Sequence, residues 1–192
     1  MLSKLRYTAL GLAIGLVITG SVAVAADKYD DRPFSGATTG TTTAVPNPGT
    51  GQIDSVSTGT LNATHVGNST YTITASQDYG RHMEEEHVMG NCAFVEDGTG
   101  PGFVIVSASG DEIHGNIDDD RSVTCAPDSQ TGDPMIGDEY YTTLYIRVAG
   151  GTGRFADASG WLFAEGTSTF ASVDAQGAHF NDEATILGDI DY

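Results

Sequence analysis

Hydrophobic and polar positions divide this chain in two. Thr8 to Thr19 is a continuous apolar stretch, too short to span a bilayer with ease. Beyond residue 32 no segment places apolar residues at the i, i+3, i+4, i+7 spacing of an amphipathic helix. The chain instead runs through short segments rich in Thr, Val, Ile, Tyr and Phe, separated by Gly, Asn, Asp and Pro. The pattern predicts a first strand over Phe34–Thr43 and a loop over Val45–Gln52. Ser55–Val66 and Ser69–Ser76 follow as a hairpin turning at Gly67-Asn68. Strands over Val88–Val95, Gly102–Ser107 and Glu112–Ile117 come next, with turns at Asp97-Gly98 and Gly110-Asp111. Cys125–Asp138, with Pro127, Gly132, Pro134 and Gly137, reads as a loop. Tyr140–Ala149, Ser159–Phe170 and Ala178–Ile190 complete the set.

Eight or so short-connected strands without crossover helices imply an all-β chain with antiparallel neighbours. An open sheet of that size would leave reactive edges, so closure is expected. About eight strands make a single closed antiparallel β-barrel, wide enough to hold a small ligand or to fill with side chains.

The first residues set the compartment. Lys4 and Arg6 precede the apolar stretch, and Ala23-Val24-Ala25 supplies the small residues of a cleavage site before Ala26. Residues 1–25 read as a signal peptide, 26–32 as a flexible tail and 33–192 as one barrel domain. The expected location is secreted or periplasmic, with no membrane association once the leader is removed. The chain carries 26 Asp and Glu against 8 Lys and Arg, a formal charge of −18. Such acidity argues against nucleic acid and anionic membranes as partners.

An exported chain with two cysteines, Cys92 and Cys125, admits one intramolecular disulfide. The competing reading is a catalytic thiol. His82, Glu84, Glu86 and His87 crowd one segment, but their spacing matches no metal site. Asp118-Asp119-Asp120 lacks the alternating ligands of a calcium loop. No metal and no cofactor is assigned.

The run Gly150-Gly151-Thr152-Gly153-Arg154-Phe155 stands between two of the strands, and three glycines in four residues mark a tight structural turn at Gly150, Gly151 and Gly153. Continued through Ala156-Asp157-Ala158-Ser159-Gly160, it resembles the Gly-Gly-Thr-Gly-Arg-Phe-Ala-x-Ala-x-Gly run of bacterial secreted proteins with an allene oxide cyclase barrel-like domain. Thr64-His65-Val66-Gly67, Ser107-Ala108-Ser109-Gly110-Asp111-Glu112 and Phe34-Ser35-Gly36 fit the same family, so the resemblance covers roughly Pro33 to Tyr192. Plant dirigent proteins are more distantly similar. The Cys125–Asp138 segment and Glu84-Glu85-Glu86 depart from the plain pattern. The resemblance implies a calycin-like barrel with a central cavity and a tendency to self-associate. Plant allene oxide cyclases steer a cyclisation in such a cavity, and dirigent proteins guide a radical coupling. No stretch here matches the catalytic motif of either, so no catalytic residue is carried over.

Alternation along Tyr140–Ala149 separates an apolar set, Thr142, Leu144, Ile146 and Val148, from Tyr141, Thr143, Tyr145 and Arg147. The mixed set Tyr145, Arg147, Trp161, Glu165 and His114 would suit a ligand carrying a polar group, with Arg147 holding a carboxylate or phenolate. The plainer reading makes that face the solvated outside. Three functions follow: a secreted barrel binding a small, mainly apolar or phenolic ligand, a cyclase or coupling guide using the same cavity, or a structural protein with a filled barrel.

Overall fold

The computed structural model describes residues 32–80, 92–127 and 134–192. The leader, the tail up to residue 31 and the His82–His87 cluster lie outside the described residues. Regular structure among the described residues is strand throughout, apart from one 3-10 turn at Gly153–Phe155. Ten strands are formed: β1 (Arg32–Pro46), β2 (Ile53–Ala63), β3 (Gly67–Asp78), β4 (Cys92–Asp97), β5 (Phe103–Val106), β6 (Glu112–Ile117), β7 (Val123–Cys125), β8 (Glu139–Gly151), β9 (Ser159–Asp174) and β10 (Gly177–Asp191).

All ten belong to one antiparallel sheet, and its pairings return on themselves. β3 pairs with β2, β2 with β1, β1 with β10, β10 with β9, and β9 with β8. Two positions remain between β3 and β8, and each is filled by two segments lying end to end. β4 meets β3 at Ala75–Asp78, and β5 meets it at Thr70–Ile73. β6 meets β8 at Ile146–Gly151, and β7 meets it at Tyr141–Thr143. β5 pairs with β6 and β4 with β7, so ten segments make a ring of eight positions.

Sequence explains the two interruptions. Gly98-Thr99-Gly100-Pro101-Gly102 cannot continue a ladder, because Pro101 lacks a donor and Gly100 takes a left-handed φ of 103°. Asp97 Oδ1 spans the gap by accepting from the Ile117 amide at 2.7 Å. On the neighbouring position Asp118 to Ser122 form a turn, in which the Ser122 amide donates to the Asp118 carbonyl. The fully buried Ser122 hydroxyl then accepts from the Tyr145 amide at 2.9 Å, replacing a missing ladder bond. The three aspartates are thus the corner between β6 and β7. Cys92 and Cys125 stand directly opposite in the β4–β7 pair and are disulfide-bonded, holding the two outer segments together.

Several boundaries differ from the sequence expectation. β7 is a strand where Cys125 was expected to open a loop; three residues between turn signals are too few for alternation to show. The β2–β3 turn lies at Thr64-His65-Val66, before Gly67, because His65 itself takes the left-handed φ of 68°. β1 runs on to Pro46, its last residue, where the missing donor costs no ladder bond.

The ring is filled at one end only. Phe34, Ile113, Ile146, Leu162 and Ile190 are fully buried there, each worth about 1.5–3 kcal/mol against exposure, and the equally buried Leu61 and Ile186 form the boundary with the unfilled end. The glycine-rich run closes this end. Gly150 and Gly153 take left-handed φ values of 114° and 56°. Phe155 is thereby driven into the core, with its ring 4.8 Å from that of Tyr192. The four segments of the family-like pattern converge at this floor. Arg154 donates to the His65 carbonyl at 2.6 Å, Thr64 Oγ1 accepts from the Ser35 amide at 3.0 Å, and Thr152 Oγ1 accepts from the Glu112 amide at 2.9 Å.

Candidate functional site

The other end of the ring encloses a cavity of about 650 Å³. Strand alternation selects its walls. Thr38, Thr42 and Ala44 of β1, Ser55 and Ser57 of β2, and Tyr71, Ile73 and Ala75 of β3 face it. Thr142 and Leu144 of β8, Ala164 and Ser168 of β9, and Phe180 and Asp182 of β10 also face it, with Val95 of β4, Phe103 of β5 and Thr124 of β7 between β3 and β8. The lining is mainly apolar, with a hydroxyl pair at Thr124 and Thr142 and a polar cluster around a carboxyl where β1, β2, β3, β9 and β10 meet.

Asp182 is the centre of that cluster. It lies opposite Gly40 on β1 and Ser168 on β9. Thr42 Oγ1 donates to Asp182 Oδ2 at 2.6 Å. Thr42 and Ser57 hydroxyls are themselves in contact, so with the Thr42 proton committed to Asp182, Ser57 donates to Thr42. The other carboxyl oxygen, Asp182 Oδ1, is buried and has no hydrogen-bond partner. Burial raises the Asp182 pKa above the usual aspartate value, against the pull of the Thr42 and Ser168 hydroxyls.

Tyr71 reaches the same point along the wall, lying over the register row that runs from Tyr71 through Gly59 and Gly40 to Asp182. Gly40 and Gly59 make the room: a Cβ on Gly40 would collide with Tyr71 Oη, and one on Gly59 would come within 2.8 Å of the ring edge. The phenol is pushed up to about 12, first by burial and then by the negative charge of Asp182. It therefore stays protonated and can donate at neutral pH. Aromatic walls come from Tyr140 and Phe180, whose rings meet edge to face at 5.4 Å. Among the described lining residues there is no Lys, Arg or His.

The mixed set expected from the sequence lies on the outer face of the ring. Arg147 and Trp161 are register partners across β8–β9, as are Tyr145 and Phe163, so the structure does bring three of the five residues together. Trp161 is 48% exposed and Arg147 is exposed. The Arg121 guanidinium covers the Tyr145 ring at 3.8 Å from its centre. His114 pairs with Glu112 of its own strand at 2.7 Å. Glu165 alone borders the cavity, and its carboxylate accepts from the exposed Tyr141 hydroxyl at 3.0 Å. The correction has a simple cause. Alternation separates two faces but does not say which is inside, and burial of Leu144, Ile146 and Val148 decides it.

Sequence reasoning passed over Asp182, although a signal existed. Along β10, Phe180, Asp182, Ala184 and Ile186 share a face, and the aspartate is the one acid in that apolar set. No protein-family model, curated protein or solved structure matches the chain. The allene oxide cyclase-like resemblance accordingly rests on the sequence motifs.

Proposed function

We propose that this protein is a secreted, closed, calycin-like barrel of the allene oxide cyclase-like type, which binds one small, mainly apolar molecule in its cavity. The observation that carries this reading is the half of the ring that side chains do not fill: a cavity of about 650 Å³ with mainly apolar walls and a buried carboxyl, Asp182, in a polar cluster on one side. That size and chemistry suit a ligand with an apolar body and one polar group. A filled, purely structural barrel would not leave that volume open. Export is supported by the leader-like first residues and by the Cys92–Cys125 disulfide. No helix among the described residues is long and apolar enough to cross a membrane.

One observation favours a second reading, a cyclase or coupling guide in the same cavity. Asp182 is a carboxyl with a raised pKa beside a protonated phenol, which is the equipment of a general acid.

Binding of the neutral dye Nile red tests the proposal. One saturable site is expected, and Ala164→Phe and Thr142→Phe, which fill the cavity, should abolish it while the circular dichroism spectrum is kept. Unchanged dye binding in both folded variants would overturn the cavity reading.

A further inference from the structure

We propose that the cavity ligand is a lipophilic amine, an apolar body ending in one ammonium group whose N–H donors pair with Asp182. This rests on the cavity-binding reading and deepens it to a ligand class. The described lining holds one inward carboxyl, Asp182, two more exposed carboxylates at its border, Glu165 and Glu183, and no cationic side chain. A fatty acid, a phosphate ester or a phenolate would bring a second negative charge into that wall, with no cationic side chain among the described lining residues to neutralise it. The expected role of Arg147 as a carboxylate holder disappears for the same reason, since Arg147 lies outside the ring.

Asp182 is satisfied unevenly. Thr42 donates to Oδ2, with Ser57 behind it, the Ser168 hydroxyl lies close enough to favour the charged carboxylate, and Oδ1 is buried without a hydrogen-bond partner of its own. A neutral hydroxyl could donate to Oδ1, but the carboxylate charge would remain uncompensated in an apolar wall. An ammonium supplies the donor and the opposite charge together, as a charge-assisted hydrogen bond. Its remaining donors find acceptors in the Ser168 hydroxyl, on the register partner of Asp182. The Tyr71 hydroxyl, over Gly40 beside the same carboxyl, offers a further oxygen acceptor. The formal charge of −18 favours a cationic over an anionic ligand at long range.

The test uses the whole chain and a matched twelve-carbon series displacing Nile red at neutral pH: dodecylamine, dodecanol, dodecanoate and dodecyltrimethylammonium, all below their micellar concentrations. Dodecylamine should displace the dye about tenfold more tightly than dodecanol, with dodecanoate weakest. Dodecyltrimethylammonium has the charge without N–H donors and should fall several-fold short of dodecylamine. Asp182→Asn should narrow the amine-to-alcohol ratio to about twofold or less. An alcohol that matches the amine would overturn the inference while leaving a binding barrel intact. So would an amine preference surviving Asp182→Asn, since the overall acidity would then be its source. Equal binding of the two ammonium compounds would overturn the pairing at Asp182. If no member displaces the dye, the cavity-binding reading falls, and this inference with it.

Discussion

Thr42 and Asp182, 140 residues apart in the chain, are joined by a 2.6 Å hydrogen bond from the Thr42 hydroxyl to Asp182 Oδ2. β1 and β10 are register neighbours, so the first and last strands of the ring build the polar wall of the cavity between them. Thr42→Val removes this donor and also strands the Ser57 hydroxyl. The loss should be about 1–3 kcal/mol in urea denaturation, and the Asp182 pKa should rise further as the hydrogen bond to its charged form is lost. An unchanged urea midpoint would show that the contact is not made in solution.

Asp182 also makes stability depend on pH. Its folded-state pKa is raised by burial above the unfolded value. The associated stability is therefore fully present below the ordinary aspartate pKa of about 4 and is lost as the pH rises through the raised value. Asp182→Asn has no charge to desolvate. Its stability relative to the parent should grow across that interval and then level off. Paired urea midpoints over the acidic and neutral range measure this, and a difference independent of pH would contradict it.

At the glycine-rich floor, two neighbouring positions should fail for different reasons. Gly150 takes the left-handed φ of 114°, so Gly150→Ala should cost about 1–3 kcal/mol in backbone strain. Gly151 is not left-handed; a Cβ there would overlap the Glu112 carbonyl oxygen. Gly151→Val should therefore cost about 2 kcal/mol or more through displacement of β6. Thermal unfolding of both variants is the measurement, and a melting temperature equal to the parent's in either would refute the assignment at that position.

Reduction of Cys92–Cys125 should destabilise the fold by about 3–4 kcal/mol, since the bridge closes a segment with a sequence separation of 33. Peptide mapping of the native protein without reductant should find the two cysteines linked. Two free thiols in that map would remove both the bridge and its support for export.

Trp161 should behave as a surface tryptophan. Its 48% exposure predicts efficient quenching by acrylamide, and dye or ligand bound in the cavity should leave that quenching unchanged. Protection of Trp161 by a cavity ligand would place the ligand elsewhere.

Much of the fold was legible before any coordinates. The Thr, Val and Ile runs announced strands because side chains in a strand alternate with period two, and Glu112–Ile117 appears with the expected bounds. The glycines at 150 and 153 announced a turn that other residues would strain. The two cysteines left one intramolecular pairing. β7 and the left-handed His65 were not legible, because the first is three residues long and the second is imposed by its neighbours, through Arg154 on its carbonyl and Pro33 on its ring.

The chain alone thus determined the class of structure, the main strands and the Gly150–Gly153 turn, all of which follow from local backbone preference and spacing. It did not determine which face of a strand lines the cavity. Tyr145, Arg147 and Trp161 alternate as cleanly as Leu144, Ile146 and Leu162, and only the ring buries one set and leaves the other on its outer face. Nor could it place Asp182 beside Thr42 and Tyr71. That meeting needs β1 to pair with both β2 and β10, and it needs Gly40 and Gly59 to leave the gap along the wall that the Tyr71 phenol fills.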